Sequence, residues 1–168
     1  MSWKKNYILA LLALFIATGP ADNGFSKESD SKASGDDVAH SEELLHLVNQ
    51  YRITQGLPSL VTDARLTSLA RKQAEGMAKQ GFISHDLPSG NISVRMSSAG
   101  YKHGIVRENV ASARTVSYAH NALLESTEHK SNILAADVSH IGIGIAKGDP
   151  ATRYGDYLFI VEIFASPR

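Results

Sequence analysis

Apolar residues recur every three to four positions through the first two thirds of the chain and every second position near its end, a pattern that predicts helices followed by a sheet. Leu44, Leu47, Val48 and Tyr51 form a stripe behind Ser41-Glu42-Glu43, which predicts a helix from near His40 that Gly56 and Pro58 close. A second stripe, Leu66, Leu69, Ala70, Ala74, Met77 and Ala78, predicts a helix capped by Thr62 and stopped at Gly81. A shorter helix is expected from Asn91 to Gly100, a strand over Ile105–Val110, and a helix from Ser117 whose polar end, Ser126-Thr127-Glu128-His129, leads into Ile133-Leu134.

The period then changes. In His140-Ile141-Gly142-Ile143-Gly144-Ile145 the isoleucines share one face and the glycines the other, where something must approach the backbone closely. Tyr157-Leu158-Phe159-Ile160-Val161-Glu162-Ile163-Phe164 is almost entirely apolar, as a central strand covered on both faces requires. A loop with Gly148, Asp149, Pro150 and Gly155 joins the two as a hairpin. The expected fold is α/β of the α+β kind: a three-layer α-β-α sandwich around a mainly antiparallel sheet.

Ahead of this domain the chain reads differently. Lys4 and Lys5 precede the apolar run Tyr7–Ala17, which ends at Thr18-Gly19-Pro20, short of the roughly 20 residues a membrane span needs. Residues 1–21 are therefore expected to be a signal peptide cut after Ala21. Residues 22–39, mostly Ser, Lys, Asp, Glu and Gly, are expected to be a flexible polar linker, with the domain over 40–168. This predicts a secreted or periplasmic protein with no stable membrane span after processing.

Composition narrows the chemistry. The absence of cysteine excludes disulfides, thiolate metal sites and a cysteine nucleophile. The full chain balances 17 basic against 17 acidic residues, and loss of Lys4 and Lys5 leaves about −2, so the basic excess of a nucleic-acid binder is missing.

Polar, titratable residues beside apolar structure fall in three segments: Phe82-Ile83-Ser84-His85-Asp86, Arg107-Glu108-Asn109-Val110, and Ser126 through Leu134. With Asn49 and Arg52 in the first helix, Leu57-Pro58, His129…Asn132-Ile133-Leu134 and Ile141-Gly142-Ile143-Gly144, their order resembles the CAP superfamily of cysteine-rich secretory, antigen 5 and pathogenesis-related proteins, and most closely its cysteine-free bacterial branch. The resemblance spans roughly His40 to Ala165.

It implies a cleft lined by two histidines and two acids, which in several members holds a divalent metal. The first histidine matches His85 and the first acid Glu108; the second histidine matches either His129 or His140. The second acid falls at or near Ser126, which is not acidic, and Arg107 stands where glycine is usual, free to crowd the cleft or to pair with a carboxylate. As chemistry, His85, His129 and Glu108 make a first shell for zinc or another divalent ion, with water in an open position. The same trio could do acid–base work, or hold helices to the sheet by hydrogen bonds alone. Neither Ser84 nor Ser126 sits in a nucleophile turn. The expected function is extracytoplasmic binding of a ligand (lipid, metal, small molecule or protein partner) through that cleft. A metal-assisted hydrolase and an envelope or stress protein with an idle cleft are the rivals.

Overall fold

The computed structural model describes residues 34–167, so the signal peptide and linker residues 22–33 lie outside the described residues. The elements run α1 (Gly35–Thr54), β1 (Val61–Thr62), α2 (Ala64–Gln80), α3 (Ile92–Ser98), β2 (His103–Ala113), α4 (Val116–Glu125), α5 (Thr127–Ile133), β3 (His140–Lys147) and β4 (Leu158–Pro167).

Helix α1 begins five residues ahead of the expected start. Ser34 accepts from the Asp37 backbone and Asp37 reaches back to Ser34 N, a capping box that the polar composition of this stretch conceals. Ser41 lies inside the helix and donates to Asp37 O. Helix α2 is capped by Asp63 rather than Thr62, because Thr62 is in β1, and it ends in a left-handed Gly81 as expected. Asn91 caps α3. The helix expected from Ser117 breaks at Ser126 into α4 and α5. Strand β2 extends to Ala113 because Ala111, Ser112 and Ala113 pair with Ile160, Phe159 and Leu158 of β4.

The sheet order is β1-β3-β4-β2. The pairs β3–β4 and β4–β2 are antiparallel, and only the two-residue β1 runs parallel to β3. Alternation along the strands divides the core. Ile141, Ile143, Ile145, Leu158, Ile160 and Phe164 pack with residues of α1, α4 and α5, while Phe159, Val161, Ile163 and Val110 pack with residues of α2 and α3. This is the expected α-β-α sandwich.

The glycine face of β3 meets α2. A Cβ on Gly144 would lie 2.1 Å from the carbonyl carbon of Ala70, and one on Gly142 2.2 Å from that of Leu66. Helix backbone cannot move aside as a side-chain tip can, so Gly144→Ala is expected to destabilise the domain by about 2–3 kcal/mol as the layers separate. Urea denaturation measures this, and a loss below about 0.5 kcal/mol would show that α2 can slide.

Candidate functional site

Glu108 lies on β2 facing α2 and α3, and its neighbour Asn109 faces α4 and α5. The two residues therefore carry chemistry into different layers.

Both oxygens of the Glu108 carboxylate are taken. Oε1 accepts from His85 Nδ1–H at 2.9 Å and Oε2 accepts from Arg95 Nη2. Arg95 reaches it from α3, 5% exposed, with its Nε donating to Gly90 O. The ion pair is thus buried, whereas the His85 side chain, 52% exposed, presents the rest of its ring outward. The loop carrying His85 is fixed from beneath, where buried Gln73 donates to Ser84 O at 2.7 Å. Ser84 itself caps the turn, accepting from Asp86 N.

His129 lies on α5, half-buried, its Nδ1 2.8 Å from Ser126 Oγ at the break between α4 and α5. Burial lowers its pKa, the nearby His85 lowers it further, and Glu128 opposes both. With the proton on Nε2 this ring accepts from the serine hydroxyl, so Ser126 has the partner that the sequence did not reveal.

His140 is placed otherwise. It opens β3 in the row of Ala165 and Val106, with β4 between it and β2, and its Nδ1 pairs with Ser139 Oγ. Glu108 lies two rows further along, opposite Ile163 and Gly142. His85 couples electrostatically to His129. Arg107 pairs with Asp137 at 2.9 Å.

Behind the site Asn109 and Asn132 tie down backbone in a network that also takes in the buried Glu162. Asn109 Nδ2 donates to Glu162 Oε2 at 2.9 Å and to His129 O, while its Oδ1 accepts from Asn132, which also donates to Glu108 O. Glu162 is fully buried opposite Asn109 and Ile143, and burial pushes its carboxyl up to about 7 against the lowering effect of the Asn109 hydrogen bond. Its signal was visible as the one acid in an otherwise apolar strand. Arg95 gave no comparable signal, since it lies between Val94 and Met96 in a short helix.

The expected metal set of His85, His129 and Glu108 does not fit a resident ion as arranged. Among the described residues no three His, Asp or Glu side chains group closely enough to hold one. The physical reason is Arg95, which holds one Glu108 oxygen and places a fixed positive charge where a cation would need a free carboxylate. The site is also separate from a cavity of about 360 Å³ that lies between α1, α2 and β3.

Residues 45–164 match the CAP family, the cysteine-rich secretory protein family, and the chain belongs to it. Over 108 residues the chain is 31% identical to YkwD, an uncharacterized protein of Bacillus subtilis, an overlap covering 63% of this chain and 42% of that one. The chain thus spans about two fifths of the length of this curated relative. An outer surface protein of Borrelia burgdorferi has the same fold at TM-score 0.70 and 21% identity, covering 82% of this chain and 97% of its own. An extracellular protein of Bacillus anthracis containing an SCP domain gives TM-score 0.69 at 20% identity, over 80% of this chain and 44% of its own. No helix among the described residues is long and apolar enough to cross a membrane.

Proposed function

We propose that the protein is exported and acts outside the cytoplasm as a binding protein, with His85, His129 and Ser126 as its ligand contacts. The carrying observation is the chain Arg95–Glu108–His85, in which a buried ion pair aims one half-exposed imidazole at solvent. Export is supported by the basic and apolar pattern of residues 1–21 and by the extracellular and outer-surface descriptions of the structural relatives.

The matching ligand group is an oxyanion. His85 Nδ1–H is committed to Glu108, so protonating either imidazole adds a donor and positive charge beside Arg95. Anion binding therefore strengthens as pH falls, whereas binding of a divalent metal, which needs neutral imidazoles, weakens. Titrating the purified protein with sulfate, which stays a dianion from pH 6 to pH 8, and separately with zinc, while following the His85 and His129 ring protons by NMR distinguishes the two. Sulfate is expected to shift both rings at pH 6 at least about threefold more tightly than at pH 8, and His85→Ala should remove the response. Zinc binding at low micromolar concentration that depends on His85, His129 and Glu108 and improves toward pH 8 would overturn this in favour of a metal site.

The Ser126–His129 contact supports a second reading, hydrolysis, because it joins a nucleophile to a base whose neutral form burial favours. That reading requires turnover of an activated ester such as p-nitrophenyl acetate, unaffected by chelator and at least about a hundredfold lower in Ser126→Ala.

A further inference from the structure

The outer edge of β3 is open over most of its length. Among the described residues, the strand paired outside it is the two-residue β1. Val61 N donates to Ser139 O and Asp63 N to Ile141 O, and there the chain turns away, because Asp63 caps α2 and its carbonyl accepts from Thr67. Among the described residues no strand pairs with this edge beyond the partners of β1. Backbone groups facing one edge belong to alternate residues, so the ladder's continuation falls on the N–H and C=O of Ile143 and Ile145.

This edge looks into the cavity of about 360 Å³, walled by Val38 and Leu45 of α1 and by Thr67 and Arg71 of α2. A second hollow of about 230 Å³ lies at Ala146 and Lys147, further along the same strand. The helices on either face are held apart by the thickness of the sheet, and past Thr62 no strand of the described residues runs in the space between them.

We propose that this slot takes an extended peptide of another protein, which adds to β3 as a strand continuing the line of β1. The backbone decides the class of occupant. A hydrocarbon chain would satisfy the apolar wall but would leave the N–H and C=O groups of Ile143 and Ile145 facing a medium that cannot hydrogen-bond them, whereas a strand satisfies both. From Ile143 to Lys147 the edge takes about five residues at roughly 3.3 Å each. Charge sets the composition. Asp37 and Glu42 stand on the α1 rim, while Arg71 opposite is already faced by Glu75 at 3.5 Å, so the net acidity of the rim favours a peptide bearing lysine or arginine beside alternating aliphatic residues. This site is separate from the His85 site and does not depend on its function.

The probe is a short acetylated peptide alternating valine and threonine between terminal lysines, added to the purified protein. Hydrogen exchange of the Ile143 and Ile145 amides, read by NMR, is expected to slow at least about tenfold at saturation. The same peptide N-methylated at alternate residues should bind at least about tenfold more weakly, because it cannot complete the ladder. Val38→Arg, at a position 46% exposed and therefore tolerant of substitution, should weaken binding at least about fivefold through charge repulsion and blockage. Equal affinity of the N-methylated peptide, no binding at about 1 mM, or displacement of the peptide by sodium laurate with no ladder formed would overturn the proposal. Sedimentation showing a dimer that already protects these amides would overturn it in favour of a second copy of the chain.

Discussion

Replacing Glu108 by leucine is expected to cost about 3–5 kcal/mol of folding stability, a large part of what a domain of this size possesses. The loss comes less from the missing contact than from what it leaves behind, since Arg95, 5% exposed on α3, would keep its charge without a counter-ion. Arg95→Leu is expected to cost a similar amount by stranding the carboxylate. The double variant should recover much of either loss, because two apolar side chains in that space carry no desolvation cost. Urea denaturation of the four proteins, arranged as a double-mutant cycle, measures the coupling. A cost below about 1 kcal/mol for Glu108→Leu alone would show that Arg95 finds solvent or another acceptor, and would remove the physical ground for treating His85 as braced.

Glu162→Gln is expected to change how stability depends on pH. The carboxyl is fully buried and titrates at about 7 in the folded protein against an ordinary 4.5, so the folded state holds its proton more tightly than the unfolded chain does. Stability contributed by the neutral form is therefore fully present below about 4.5 and declines as pH rises through about 7, by about 3 kcal/mol in all. Glutamine cannot ionise, so the stability of the variant relative to wild type should rise by about 3 kcal/mol between pH 4.5 and pH 8. Chemical denaturation at a series of pH values reads this directly. A difference that stays flat across the range would mean that the ionised carboxylate finds a partner, contrary to the burial of Oε1 without a hydrogen bond among the described residues.

The histidine site was partly legible before the fold was known. His85 and Glu108 stood out by their order along the chain, and the structure joins them at 2.9 Å. The sequence left His129 and His140 as alternatives because both lie near the Asn-Ile-Leu segment, and neither period nor spacing says which one lies near His85. Arg95 escaped notice because an arginine in a short exposed-looking helix resembles any solvated charge until the strand it covers is known. Only the packing of α3 on β2 brings that guanidinium to the carboxylate.

What the sequence determined by itself was the burial pattern of each segment: the stripes of α1 and α2, the isoleucine and glycine faces of β3, and the apolar length of β4. These are local properties, set by periods of 3.6 and 2 that an uninterrupted run of residues displays. The tertiary structure alone decided which buried faces meet and which charges they trap. Arg52, fully buried at the end of α1, donates to Ile133 O and Ala135 O some eighty residues away. The Glu162 carboxyl is pushed up by burial between β2 and β3. Such pairings are fixed by the geometry of the closed layers, where a single charged group must find its partner among residues brought near only by packing, and no periodicity in the chain records that choice.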